Sequence, residues 1–217
     1  MTADLFADAP DPGPPEQAIA DGALLLRGIA RTVEGDLLAD LRAIVAAAPF
    51  RHMVTPGGHR MSVAMTNCGD KGWVADPSGY RYDAADPQSG RPWPAMPTSF
   101  RDLARRAASR AGFDGFAPQA CLVNRYEPGA KLSLHQDKDE LDLRAPIVSV
   151  SLGLPATFLF GGQSRSDKPR RFRLSHGDIV VWGGPARLAY HGVAPLPDGE
   201  HPQLGRQRIN LTFRKVV

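Results

Sequence analysis

The chain has 217 residues, 42% of them hydrophobic, enough apolar material to bury a real core and suited to one domain. Its formal charge of +3 and isoelectric point near 9.1 permit a polyanionic partner without requiring one. The two cysteines, Cys68 and Cys121, stand far apart with no CxxC spacing, which excludes a disulfide framework and a thiolate zinc site and fits a reducing cytoplasm.

Met1 to Gln17 is rich in Asp and Pro and lacks the basic and apolar regions of a leader peptide. No apolar run approaches bilayer length, so neither targeting nor membrane insertion is expected. Residues 1–18 read as a flexible lead-in and 19–217 as a single folded domain.

Ala23 to Arg27 is the first expected strand. From Glu34 to Ala48, Leu37, Leu38, Leu41, Ile44 and Val45 recur at helical spacing. Phe100, Leu103, Ala104, Ala107 and Ala111 do the same after Thr98-Ser99, so two helices are expected to brace a sheet. Between them, residues 51–96 are thick with Gly, Pro, Asp and aromatic side chains, with a short strand at Met61 to Thr66. A long irregular stretch inside a compact domain reads as a lid over a site, the alternative being a variable surface loop.

From Ala120 onward strands are expected over 120–126, 132–135, 147–154, 157–160, 170–174, 179–182 and 207–214, with Gly and Pro in nearly every gap. Many short strands without intervening helices imply a mainly β fold with flanking helices, an antiparallel barrel or sandwich.

His135-Gln136-Asp137 places an imidazole and a carboxylate two residues apart, on one face of a strand. His191 completes a set of two imidazoles and one carboxylate. That donor set leaves positions open for cosubstrate and oxygen, as in non-haem Fe(II) oxygenases. His176 is the rival third ligand, but Ser175-His176-Gly177-Asp178 reads as a tight turn, which favours His191. On the last strand Ile209, Leu211 and Phe213 share one face, and Arg208, Asn210, Thr212 and Arg214 the other. If the polar face points into a barrel, its two arginines need anions, and a dicarboxylate offers one to each. A solvent-facing edge strand is the alternative.

The most specific stretches are Met53-Val54-Thr55-Pro56-Gly57-Gly58, Met61 to Cys68, Cys121 to Asp139, Ala145 to Pro155, His176 to Gly184, and Asn210 to Arg214. The second and third include Met65, Asn124-Arg125-Tyr126 and Leu134-His135-Gln136-Asp137-Lys138-Asp139. Together they resemble the AlkB family of Fe(II)- and 2-oxoglutarate-dependent dioxygenases, most of all its bacterial nucleic-acid repair members, over nearly the whole chain. His59 departs from those members, which tend to carry tyrosine there.

The resemblance implies a double-stranded β-helix, or jelly roll, with an N-terminal nucleotide-recognition lid over 51–96 and a catalytic core over 120–217. It implies Fe(II) held by His135, Asp137 and His191. Arg208 would take the distal carboxylate of 2-oxoglutarate, with Arg214 and Asn210 near the keto-acid end and Asn124 and Tyr126 completing the pocket. In the lid, Trp73 would pack on the target base against His135, with Met65 and Tyr80 as further contacts. Asp139 resembles an acidic group near the base, and Thr55 and Arg165 resemble flanking contacts. Arg51, Arg60, Lys131 and Arg165 are basic groups able to track phosphates.

The implied activity is oxidative demethylation of N-alkylated bases, of the 1-methyladenine and 3-methylcytosine type, in DNA or RNA. Dioxygen and 2-oxoglutarate become succinate and carbon dioxide, and formaldehyde is released. Because the target atoms lie on the pairing edge, a single-stranded or flipped-out base is required. A monomer in the cytoplasm is expected. The alternatives are a 2-oxoglutarate oxygenase acting on a protein or small molecule, and a non-catalytic jelly-roll sensor of metal or anion.

Overall fold

The computed structural model describes residues 13–217, so the first part of the expected lead-in lies outside the described residues. Folding starts earlier than expected: strand β1, Glu16–Ala20, occupies the end of the assumed lead-in and pairs with β2, Ala23–Leu26. The tight connection between them is what hides β1, since its exposed edge position leaves only Ile19 fully buried as an apolar signal.

Helices α1, Glu34–Ala47, and α2, Thr98–Arg110, form where the apolar spacing places them. Leu37, Leu38, Leu41 and Ile44 of α1 and Phe100, Leu103, Ala104 and Ala107 of α2 are buried in one cluster. Helix α2 stops in a Schellman arrangement: Gly112, at φ +83°, donates to Ser109 O, and Phe113 N donates to Ala108 O.

Eight antiparallel strands make the jelly roll: β7 (Ala120–Tyr126), β8 (Leu132–His135), β9 (Ile147–Gly153), β10 (Ala156–Phe160), β11 (Arg170–Leu174), β12 (Ile179–Trp182), β13 (His191–Val193) and β14 (Arg208–Arg214). They divide between a major sheet containing β12-β9-β14-β7 and a minor sheet ordered β11-β10-β13-β8. Seven of these agree closely with expectation. Strand β13 is too short to have stood out from its glycine and proline surroundings.

The lid region departs most from its sequence reading. Residues 51–96, expected to be irregular apart from a short strand at Met61 to Thr66, contain β3 (Arg51–Val54), β4 (Arg60–Gly69), β5 (Gly72–Asp76) and β6 (Gly79–Asp83). Strand β4 pairs with β7, so it and β3 extend the major sheet, and only the β5–β6 hairpin stands apart. The strand expected over 61–66 is the first part of β4, and its continuation to Gly69 was masked because that part is buried on both faces, so period-two alternation is lost. Its polar residues are also satisfied internally: Thr66 Oγ1 donates to Ala48 O, and Asn67 brackets the backbone of Trp73 from both sides.

The major sheet is therefore buried on both faces over much of its width. Val148, Val150, Leu152, Ile209, Leu211 and Phe213 pack against the helices. The opposite face, with Leu122, Ile147, Val180 and Trp182, meets the minor sheet. No helix among the described residues is long and apolar enough to cross a membrane.

Phe100 is fully buried and meets Phe213 edge-on, with ring centroids 6.0 Å apart. Phe100→Ala is expected to cost about 3–5 kcal/mol in urea unfolding. The loss falls on the helix side of the sheet, so metal binding by the folded variant should be unchanged.

Candidate active site

Strands β8 and β13 run side by side in the minor sheet with His135 opposite His191. Asp137 lies just beyond the end of β8, so it reaches the same point from a loop and not from the strand face that simple alternation suggested. The potential ligand atoms of His135, Asp137 and His191 all lie within 4.8 Å of one another. The two imidazole Nε2 atoms stand 3.7 Å and 3.9 Å from the Asp137 carboxylate.

Both rings have their tautomer fixed. His135 Nδ1 lies 2.9 Å from Ser133 O and His191 Nδ1 lies 3.0 Å from Ala189 O. A carbonyl oxygen only accepts, so each Nδ1 donates and each Nε2 lone pair is free to face a metal. His176 plays no part: its Nδ1 accepts from Gly153 N and its Nε2 faces Glu34.

Burial opposes ionisation of Asp137, but Arg214, with the two imidazoles, overcomes it and holds the carboxyl well below its usual range. Arg214 donates through Nε and Nη2 to Oδ2, at 3.0 Å and 2.8 Å, which leaves Oδ1 toward His135. Arg214 is in turn held firmly protonated, burial being outweighed by Asp137, Tyr82 and Glu140. Burial, reinforced by His135, depresses His191 to about 4, so the imidazole is neutral and competent as a ligand at neutral pH.

The polar face of β14 points inward and is entirely buried, which removes the edge-strand alternative. Arg208 lies over the Tyr126 ring at 5.0 Å and donates Nη2 to Ser151 Oγ. Its Nε and Nη1 are buried without a partner, as are Arg214 Nη1 and Asn124 Oδ1. Burial lowers the pKa of Arg208 from its ordinary value. Asn210 is fully engaged instead, donating to Ser149 Oγ and Val150 O and accepting from Asn124 and Thr212. Unpaired guanidinium donors are costly in a dry interior unless an anion meets them. A dicarboxylate fits these residues, and two imidazoles with a carboxylate fit Fe(II).

Every residue expected to hold the metal, 2-oxoglutarate or the target base lines a single cavity of about 610 Å³, within the ordinary range for ligand sites. Trp73, on β5, donates Nε1 to Asp139 at 2.8 Å and stacks on Tyr80 of β6, with centroids 5.5 Å apart. Met65 reaches the cavity from β4, in the main sheet, and not from the hairpin. Thr55 and Arg165 stand at its rim, whereas His59 does not line it. Arg51 is not free to follow a phosphate chain: it is paired with Asp86 and lies over Trp93. Arg60 and Lys131 remain at the cavity edge.

Sequence reasoning missed four residues around the triad. Trp182 packs on His191 with centroids 4.8 Å apart. Glu140, buried within a run of charges that looked solvated, accepts from the Tyr82 hydroxyl and from Arg187 Nη2. Arg187, also buried, sits in a Gly- and Pro-rich turn with no motif around it. Only the density of acids from Asp137 to Asp142 hinted that some needed buried cations.

Jelly-roll topology, a two-histidine, one-carboxylate cluster and a buried arginine with unmet donors define a non-haem iron, 2-oxoglutarate-dependent oxygenase. The model of the 2OG-Fe(II) oxygenase superfamily matches residues 22–214. The chain is 58% identical to the alpha-ketoglutarate-dependent dioxygenase AlkB of Escherichia coli (strain K12) over 213 residues, 98% of this chain and 97% of that protein. It is 33% identical over 136 residues to the tRNA demethylase abh1 of Schizosaccharomyces pombe, covering 57% of this chain and 45% of that one. A solved structure of OsALKBH1 superposes with a TM-score of 0.83 at 29% identity, covering 93% of this chain and all of that one. The chain belongs to the AlkB family within the 2OG-Fe(II) oxygenase superfamily, and it is a dioxygenase that uses Fe(II), 2-oxoglutarate and dioxygen.

The depressed pKa of His191 has a consequence for the metal-free protein. An unfolded histidine titrates near 6.5, so between there and about 4 the unfolded chain binds the extra proton and the folded one does not. Stability is complete above about pH 6.5 and falls, as the pH drops toward 4, by a limit of about 3 kcal/mol. Chemical denaturation of metal-free protein across this window should display the slope, and His191→Gln should flatten it.

Proposed function

We propose that the protein oxidatively demethylates N-alkylated bases of the 1-methyladenine and 3-methylcytosine type in single-stranded or flipped-out DNA, with RNA as a second substrate. The observation that carries this reading is the placement of the Trp73 face and the Asp139 carboxylate in the same cavity as the His135–Asp137–His191 cluster. The S. pombe relative, by its name a demethylase of tRNA, supports a nucleic-acid substrate.

In this reading His135, Asp137 and His191 hold Fe(II), which with 2-oxoglutarate and dioxygen supplies the oxidation of a methyl C–H bond to an alcohol. One oxygen atom enters the methyl group and the other enters succinate, with loss of carbon dioxide. The N-hydroxymethyl base then breaks its C–N bond, giving formaldehyde and the restored base. Arg208 receives the distal carboxylate of 2-oxoglutarate through its unmet Nε and Nη1 donors, and Tyr126 and Ser151 fix the plane of that guanidinium. Asn124, Asn210 and Arg214 line the keto-acid end.

Trp73 stacks on the base, with Tyr80 and Met65 as neighbours, at a gain of roughly 1–3 kcal/mol. N1-methylation of adenine or N3-methylation of cytosine leaves the ring cationic near neutrality, so the Asp139 carboxylate favours the damaged base over the intact one. Thr55, Arg165, Arg60 and Lys131 meet the flanking backbone at the rim. The enzyme acts as a cytoplasmic monomer, a compartment that suits its two unpaired, buried cysteines.

The test is mass spectrometry of a single-stranded DNA oligomer containing 1-methyladenine, incubated with protein, Fe(II) and 2-oxoglutarate, first without air and then with it. Oxygen-dependent loss of one CH2 mass is expected, and Asp137→Ala should abolish it. Succinate formation without that loss would move the substrate away from alkylated bases.

Arg208→Met removes the proposed clamp while keeping the bulk of the side chain. The apparent KM for 2-oxoglutarate should rise by about 30- to 100-fold, as expected when a buried charge-assisted pair is lost. An unchanged KM in a succinate assay would assign the distal carboxylate to another group.

A further inference from the structure

The loop from Gln136 to Pro146 carries Asp137 yet has almost no regular structure of its own. Such a loop does not hold a carboxylate at a fixed point unless something fastens it. We propose that Arg187 is the positioning residue that fastens it, preassembling the triad by tying the Asp137 loop to the segment that carries His191. The proposal rests on the reading of His135, Asp137 and His191 as the metal site.

Arg187 is 3% exposed, and its guanidinium spans the loop. Nη1 donates to the Asp137 carbonyl oxygen at 2.6 Å, Nε to the Ala145 carbonyl at 2.9 Å, and Nη2 to Glu140 Oε2 at 2.8 Å. One planar cation therefore fixes the start, middle and end of the loop. Next to it in sequence, Leu188 O accepts from Gln136 Nε2 at 2.6 Å, a second tie between the same two segments. His191 follows at once on β13.

The charges close into a ring. Glu140 Oε1 lies 3.4 Å from Arg214 Nε, and Arg214 grips the Asp137 carboxylate. Two buried carboxylates are thus set against two buried guanidiniums, with Arg187 touching the main chain of Asp137 while Arg214 touches its side chain. Removing one member leaves a buried charge unpaired and a metal ligand free to turn. The fork geometry is what matters: a lysine at 187 keeps the charge but presents a single ammonium where three acceptors lie in separate directions.

Arg27 provides a matched comparison away from the site. It also bridges a carboxylate and a carbonyl, donating Nη1 to Asp178 at 2.8 Å and to Arg173 O at 2.6 Å. Wild type, Arg187→Lys, Glu140→Gln, Arg27→Lys and Asp137→Ala would each be titrated, metal-free, with Mn(II) by calorimetry, and their thermal unfolding recorded. Arg187→Lys and Glu140→Gln should bind Mn(II) about 10- to 100-fold more weakly than wild type, the usual effect of losing a group that orients a metal ligand. Arg27→Lys should bind within about twofold of wild type whatever its unfolding temperature. In turnover, Arg187→Lys should lower kcat with little change in KM for 2-oxoglutarate.

Wild-type affinity in folded Arg187→Lys overturns the proposal, and so does an equal loss in Arg27→Lys. Should Arg187→Lys not fold, Glu140→Gln decides on the same terms. If wild type and Asp137→Ala bind Mn(II) alike, the reading of the triad as the metal site has failed instead.

Discussion

Two guanidiniums project from one face of β14 into the interior of the jelly roll, and the rest of the site answers to them. A buried positive charge must be met by an anion or by closely placed dipoles. The protein meets the first within itself: Arg214 takes Asp137, with Glu140 alongside. It leaves the second incomplete, because Arg208 has a single hydroxyl partner and a tyrosine ring beside it, with two donors unmet. On the proposed function, that asymmetry separates a cation paired within the protein from one that receives a carboxylate. The Arg214 pair also explains why Asp137 stays ionised despite its burial, which is the state a metal requires.

The two sheets divide the work. The minor sheet contributes both histidines, on neighbouring antiparallel strands, so their separation is fixed by strand spacing and not by a loop. The major sheet contributes Arg208, Asn210, Asn124 and Tyr126, which are brought together by the β14–β7 register, with Arg208 opposite Tyr126 and Asn210 opposite Asn124. Backbone ladders thus set most of the geometry. Asp137 is the exception, since it belongs to a loop, and the ion pairs of Arg187 and Arg214 with Glu140 and Asp137 surround that loop.

Much of this was legible in the residues. The alternation along β14 was readable because one face is wholly apolar and the other wholly polar. The helices were readable because their apolar residues recur at i, i+3 and i+4. Strand β4 was readable only over 61–66, because its later part is buried on both faces and interrupts its apolar run with Thr66 and Asn67, whose partners lie elsewhere in the fold. The histidines and Asp137 were found through their order and spacing. Arg187 escaped because two of its three partners are main-chain carbonyls, which leave no mark in a sequence, and Glu140 because its partners Tyr82, Arg187 and Arg214 all lie far from it in the chain. Arg51 misled for the converse reason, looking like a free surface charge while paired with Asp86.

The lid hairpin is joined to the site at two points, and both lie on the loop that carries Asp137. Trp73 of β5 donates to Asp139, and Tyr82 of β6 donates to Glu140. The two hydrogen bonds differ in kind. Tyr82 is half-buried against the charge ring, where desolvation and the neighbouring carboxylates push its hydroxyl well above its ordinary range, so it is a permanent donor. The Trp73–Asp139 bond lies at the exposed cavity mouth, and on the proposed function both of its members must turn to a base. A cationic base can take over the Asp139 carboxylate while its ring takes over the Trp73 face, so entry exchanges one polar contact for another and gains the stacking. The half-buried anchor at Tyr82 keeps the hairpin attached during that exchange. On the proposed function, recognition thereby falls to Trp73 and Asp139 at the cavity mouth, while the Tyr82–Glu140 hydrogen bond goes on tying the hairpin to the loop that carries Asp137.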